Sequence, residues 1–232
     1  MIAMLKAEQV GKTFILHLQH GLHLPVLQGV ALTVHQGECV ALTGPSGAGK
    51  STFMRALHGN YRVDSGSILV RHHGAFVDIA AADPRTILAV RRDTLGYVSQ
   101  FLRVVPRVSA LEIVAEAATL RGVPLDVARE TARALLLRLN IAARLHALPP
   151  ATFSGGEQQR VNLARGFVAE HPVLLLDEPT ASLDHENAAI VVEMMRQARS
   201  MGTAIVGIFH DREVRDAVAT ATLIVSPLQD AA

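Results

Sequence analysis

The segment Gly44-Pro45-Ser46-Gly47-Ala48-Gly49-Lys50-Ser51-Thr52 fits the G-x-x-x-x-G-K-[ST] pattern of a phosphate-cradling loop. Glycines at these positions let the backbone wrap an anion with its N–H groups turned inward. A helix starting at the end of the loop adds its positive N-terminal end. Lys50 is then placed to reach the β- and γ-phosphates of a nucleotide, and the Ser51 hydroxyl to ligate Mg²⁺. Average residue usage yields this pattern by chance in roughly 1 in 100 chains of this length. Here an apolar run precedes it and a helix-like stretch, Phe53 to Leu57, follows it, which makes coincidence rarer still.

Binding a triphosphate is not turnover, which needs a second set of groups. Val173-Leu174-Leu175-Leu176 is a continuous apolar run ending in Asp177-Glu178, as expected of a parallel strand buried on both faces. Asp177 is suited to hold Mg²⁺, and Glu178 to polarise an attacking water. A third constellation is Ser154-Gly155-Gly156-Glu157, which enters a helix expected from Gln158 to Ala169. Taken alone this is a plain helix N-cap; beside a phosphate loop it is another anion-binding helix start.

The elements that must position these groups follow from pattern. The first forty residues read as short strands separated by turns, and Glu38 to Thr43 runs apolar into the loop. Strand-like pieces recur between 60 and 100, including Ser67 to Val70 and Leu95 to Val98. Residues 106–148 turn to Ala, Leu and Arg with helical periodicity, placing Ala128, Ala132, Leu135 and Leu139 on one face, with Asp126 as cap. A final strand is expected from Ala204 to Phe209, ending at His210-Asp211.

With 232 residues, 22 basic and 21 acidic, the formal charge is +1, without the basic excess usual in nucleic-acid binders. No apolar run reaches the ~20 residues of a membrane span, and Met1 to Lys6 lacks a signal-peptide layout. Any membrane role is therefore expected to come through a partner. The single cysteine, Cys39, excludes an intrachain disulfide and fits a reducing, cytoplasmic setting as a buried strand residue. His17, His20, His23 and the pair His72-His73 read as strand or loop histidines rather than metal ligands.

Taken together, these residues resemble the ATP-binding cassette (ABC) ATPases across essentially the whole chain. Gly44 to Thr52 matches Walker A, Val173 to Glu178 Walker B, and Ser154-Gly155-Gly156-Glu157-Gln158 the signature motif, with Glu157 where many members carry Gln. Gln100 matches the Q-loop, Ser182-Leu183-Asp184 the D-loop and His210 the switch histidine. Phe14 is the candidate for the aromatic that stacks on adenine, with Val26 nearby. The resemblance implies an α/β fold of the P-loop NTPase type, with a RecA-like parallel-sheet core and an N-terminal antiparallel β subdomain. A helical subdomain, 101–150, is expected between Q-loop and signature, the rest of the core being 1–100 and 151–232. It also implies ATP and Mg²⁺ as ligands, and a head-to-tail pair in which Ser154-Gly155-Gly156 of one cassette meets the nucleotide on the other. Glu178, His210, Lys50 and Gln100 are the implied catalytic set. Ser51, Gln100 and Asp177 are the implied metal neighbours, and Asp184 and Glu157 border the nucleotide.

Three stretches resemble one branch more narrowly: Val98 to Arg107, Leu148 to Phe153, and Ala204 to Asp211, together with the early insertion Ile15 to Pro25. They look like the L-type ATP-binding subunit of the carbon–phosphorus lyase system for phosphonate breakdown. That implies a second cassette (a copy of itself or the related K-type subunit) and the lyase core subunits as partners. Arg103 and Arg107 are the candidate docking cations. The alternative is the ATPase of a membrane transporter of the lipoprotein-release or macrolide-export type. ABC ATPases of DNA repair or translation rank last, since they usually carry two cassettes or long insertions.

Overall fold

The computed structural model describes residues 1–16, 21–102 and 106–228. Two sheets carry the fold. The first is antiparallel, in the order β2-β1-β4-β5, built from β1 (Ala3–Leu16), β2 (Leu22–His35), β4 (Ser65–His72) and β5 (Ala75–Asp78). The first forty residues are thus not short strands: β1 and β2 form one 14-residue pair. Its distal register, Ile15 against His23 and Thr13 against Pro25, places the described flanks of the early insertion, residues 15–16 and 21–25, in this hairpin; residues 17–20 lie outside the described residues.

The second sheet has the order β6-β7-β8-β3-β9 and contains β3 (Cys39–Thr43), β6 (Leu95–Val98), β7 (Val173–Asp177), β8 (Ala204–Ile208) and β9 (Ala221–Ile224). Every strand pair in it is parallel. All five residues of β7 and of β8 are buried, as their unbroken apolar runs require of strands covered on both faces. Cys39 is fully buried, and burial pushes its thiol up to about 12. It is a packing residue without thiolate chemistry. One strand beyond the expected last one exists: β9 follows α7 (Arg212–Val218).

Helices lie on both sides of this sheet. α1 (Lys50–Leu57) buries Phe53, Met54 and Leu57 in a core shared with Leu5, Val34 and Val206. A second core joins the parallel sheet to α3 (Ala110–Thr119), α4 (Leu125–Arg138), α5 (Gly155–Val168) and α6 (His185–Ser200). In α4 the buried positions are Ala128, Ala132 and Leu136 rather than Leu135, with Leu139 buried just past its end. Asp126 lies in the first turn and Pro124 is the N-cap, so Asp126 caps nothing. Residues 60–100 also contain α2 (Pro84–Asp93), capped by Asp83, where only strand pieces are expected from sequence. Parallel pairing brings the C-terminal ends of β3, β6, β7 and β8 to one edge, the usual ligand edge of such sheets.

Candidate functional site

Four of the strand ends named above release the residues with chemical potential. β3 runs into the phosphate loop, which enters α1 through Gly49, its N-cap at φ +92. A side chain at Gly49 would stand 2.9 Å from the Val26 carbonyl, and one at Gly44 would strike the backbone of Val225. Only glycine lets the loop lie this close to β2, where Val26 sits. Gly47, also at positive φ, borders open space. Lys50 Nζ donates to the carbonyls of Gly44 (2.9 Å) and Pro45 (2.8 Å), which holds the ammonium across the loop and leaves one of its three protons for an anion. The first-turn N–H groups of α1 have no intrahelical acceptors. A glycine-lined concavity with a central cation and unpaired donors fits a polyphosphate.

Beside it, Ser51 Oγ approaches Asp177 Oδ1 at 3.5 Å. Asp177 is buried, and that desolvation raises its carboxyl above the ordinary range; the charge of Glu178 pushes the same way. Tyr97 Oη donates to Asp177 Oδ2 at 3.0 Å and pulls it back down. An all-oxygen pair of this kind suits a hard cation such as Mg²⁺. Tyr97 itself, on β6, is stacked on His58 with ring centroids 4.9 Å apart. In the sequence Tyr97 is one more residue of a strand-like run. Its role depends on β6 pairing with β7, Tyr97 opposite Leu175, which no local pattern announces.

Glu178 takes a left-handed backbone conformation, φ +53, rare for a residue with a side chain. Its N–H donates to the Ile208 carbonyl at 3.1 Å, so the chain turns off β7 against β8. The carboxylate is held from two sides: Gln100 Nε2 lies 2.8 Å from Oε2 and His210 Nε2 lies 2.7 Å from Oε1. Side chains following β6 and β8 thus converge on the carboxylate that follows β7. Strain of this kind costs about 1–3 kcal/mol and is typical of functional sites.

The remaining candidates make contacts of their own. Phe14 meets Tyr61 edge-to-face at 5.3 Å, with Lys12 Nζ 5.4 Å from its ring centre. Ser154 is exposed and forms a capping box with Glu157: the Ser154 N–H and Oγ both lie 2.8 Å from Glu157 Oε2, and the Glu157 N–H donates to Ser154 Oγ. A side chain at Gly156 would stand 2.9 Å from the Ser182 carbonyl, and Gly155 borders open space. Asp184 caps α6 by accepting from the Asn187 N–H at 2.8 Å. Asn187 Oδ1 also accepts from Arg160 (3.0 Å) and Asn140 (3.2 Å). This buried amide, passed over by motif reading, ties α6 to α5 and to the end of α4. Among the described residues no hydrogen bond links Ser154, Glu157 or Asp184 to the phosphate loop. Arg103, His17 and His20 lie outside the described residues. Arg107 is exposed.

The sequence model of the ABC transporter family matches residues 27–181. The chain belongs to that family. The lipoprotein-releasing system ATP-binding protein LolD of Maricaulis maris is 41% identical over 192 residues, 82% of each chain. The pyoverdine export ATP-binding/permease protein PvdT of Pseudomonas aeruginosa is 41% identical over 189 residues, 82% of this chain. The macrolide export ATP-binding/permease protein MacB of Hyphomonas neptunium is 37% identical over 188 residues. This chain spans 28% of the length of each of the last two. Among solved structures, the dimeric cassette MJ0796 superposes with a TM-score of 0.87 at 26% identity, covering 96% of this chain and 94% of that one. A second MJ0796 dimer, in a post-hydrolysis state with ADP and Pi, gives 0.86 at 25% identity, covering 97% of each chain.

The α/β cassette fold is therefore as the resemblance implied, and this ABC ATPase binds ATP with Mg²⁺. The narrower phosphonate resemblance gains no support: the relatives named belong to export and lipoprotein-release systems. They favour the transporter reading over the lyase. Among the described residues no helix is long and apolar enough to cross a membrane.

Proposed function

We propose that this chain is the ATP-hydrolysing cassette of a larger transport machine, acting as a head-to-tail dimer beneath a membrane permease. The observation that carries the hydrolytic reading is Glu178, held between Gln100 and His210 next to the Ser51–Asp177 pair. In this reading the Glu178 carboxylate orients a water and accepts its proton as the oxygen attacks the γ-phosphorus. The bond from that phosphorus to the β,γ-bridging oxygen breaks, and ADP leaves. Lys50 and the first-turn N–H groups of α1 stabilise the charge on the phosphate oxygens, while His210 and Gln100 fix the carboxylate. Ser51 and Asp177 would hold Mg²⁺, which when bound would supply neutralising charge to the phosphates. Positioning and electrostatics carry such reactions, without a covalent intermediate.

The dimer reading rests on the start of α5 at Ser154-Gly155-Gly156, whose first two residues are exposed and which makes no hydrogen bond to the chain's own loop among the described residues, and on the likeness to a dimeric cassette. Phe14 and Val26 are the proposed adenine neighbours, and Glu157 and Asp184 are proposed to border the nucleotide across the dimer. The permease reading rests on LolD, PvdT and MacB.

A second reading, a subunit working with a carbon–phosphorus lyase core, rests on the resemblance of Val98 to Arg107 alone. There Phe101 is 71% exposed directly after Gln100, a surface available to a partner. Affinity purification from detergent-solubilised cells grown on a phosphonate as sole phosphorus source separates the two. Co-purified polytopic permease supports the transporter reading. Recovery of soluble lyase subunits without a permease overturns it in favour of the second.

A further inference from the structure

Successive strand residues ordinarily face opposite sides of a sheet, yet the rings of His72 and His73 lie together, centroids 4.0 Å apart. The cause is the β4–β5 turn. His72 pairs with Ala75, leaving His73 and Gly74 as a two-residue loop with φ +48 and +87, the signs of a type I′ hairpin. Asn or Gly is the usual occupant of the first of these positions. A histidine there takes the left-handed conformation at a cost and swings its ring over its neighbour. The C-terminal end of α2 then delivers Asp93, whose Oδ2 lies 3.5 Å from His73 Nε2.

We infer that His72, His73 and Asp93 form a transition-metal site of the zinc type, pinning the β4–β5 hairpin to the end of α2. One donor atom from each residue falls within 4.8 Å of the other two. Donors in a tetrahedral zinc site with ~2.0–2.1 Å bonds stand about 3.4 Å apart, so the His73–Asp93 edge is already at that separation. The donor set, two imidazoles and one carboxylate, matches zinc, nickel or copper rather than Mg²⁺ or Ca²⁺.

The outer contacts fit the same reading. His72 Nδ1 is tied to the buried Thr94 Oγ1 at 2.7 Å, which fixes the ring and leaves Nε2 as the ligating atom. Burial lowers the His72 pKa, favouring the neutral, ligating form. Asp93 is held ionised by Arg92, whose Nε and Nη2 lie 2.7 and 2.9 Å from its two oxygens. Arg92 therefore both orients the carboxylate and competes with a cation for Oδ2. A cavity of about 490 Å³ lined by Arg71, His73, Asp93 and Arg121 adjoins the group and leaves room for a water as fourth ligand.

The test is titration of the full chain with Co²⁺ in excess Mg²⁺, which keeps Asp177 occupied, followed by visible absorbance and then by Zn²⁺ displacement. One equivalent should bind with the intense bands of four-coordinate cobalt. His73→Asn, which suits the turn, and Asp93→Asn should each weaken binding at least about tenfold; Thr94→Val should cost about tenfold through loss of ring orientation. Arg92→Gln should bind equally or more tightly. The variant His17→Ala/His20→Ala/His23→Ala should bind like the parent chain. Parent-like affinity in both His73→Asn and Asp93→Asn overturns the site, and so does loss of the cobalt bands in the triple variant.

Discussion

Replacing Tyr97 with Phe removes one hydroxyl and leaves the ring that stacks on His58. The hydroxyl is the shorter of the two side-chain contacts to Asp177, 3.0 Å against 3.5 Å for Ser51. A hydrogen bond to a charged group contributes roughly 1.5–3 kcal/mol. Since Asp177 is only 4% exposed, water can replace the lost donor poorly. Each 1.4 kcal/mol is about tenfold in an equilibrium constant. Tyr97→Phe should therefore raise the Mg²⁺ concentration for half-maximal binding of a fluorescent ATP analogue by about 10- to 100-fold. Turnover at saturating Mg²⁺ should stay within about twofold. The pH dependence has a defined sign as well. Tyr97 lowers a carboxyl that burial raises, so its loss lets Asp177 protonate at higher pH. The acid limb of Mg²⁺ binding should then move upward. An unchanged Mg²⁺ requirement with an unchanged acid limb would refute the positioning role.

Two further outcomes follow from packing and titration. A methyl group at Gly166 on α5 would stand 2.2 Å from Val98 Cγ2 on β6; Gly166→Ala should cost about 1–3 kcal/mol of stability, read from urea unfolding. His58 and His171 are each pushed down to about 4, chiefly by burial, then by Arg91 and Arg121 respectively. Unfolded histidines titrate near 6.5, so the unfolded state takes up protons first as pH falls. Stability should be level above about pH 7 and drop by a few kcal/mol between about pH 6.5 and 4. Melting curves of His58→Gln/His171→Gln should show a flatter slope across that window.

Much of the site is legible locally because its chemistry is written in short runs. The phosphate loop, the β7 run ending in Asp177-Glu178, and the capped start of α5 each declare themselves within ten residues. What stays hidden is set by pairing between distant segments. Tyr97 acquires its partner because β6 lies beside β7, 78 residues apart at Tyr97 and Leu175. The long β1–β2 pair escapes a periodicity reading because its register shifts at several points, and each shift breaks the alternation that marks a strand. In α4, Leu135 and Leu136 both suit an apolar face, and only the packing against α3 and α5 selects Leu136. His72 and His73 look unremarkable as a dipeptide until the turn at Gly74 and the end of α2 bring Asp93 to them.

The central claim is that Glu178 turns over ATP in a site completed by a second cassette. Its most direct measurement is light scattering of Glu178→Gln with ATP and Mg²⁺, alone and combined with Gly155→Asp. The Gly155 position borders open space, so the added carboxylate leaves the fold intact while repelling the phosphates of the opposing site. Glu178→Gln should lose hydrolysis and run at the mass of two chains, and the double variant should return to the mass of one. Turnover at the parent rate in Glu178→Gln, or a single-chain mass with ATP bound, would contradict the account.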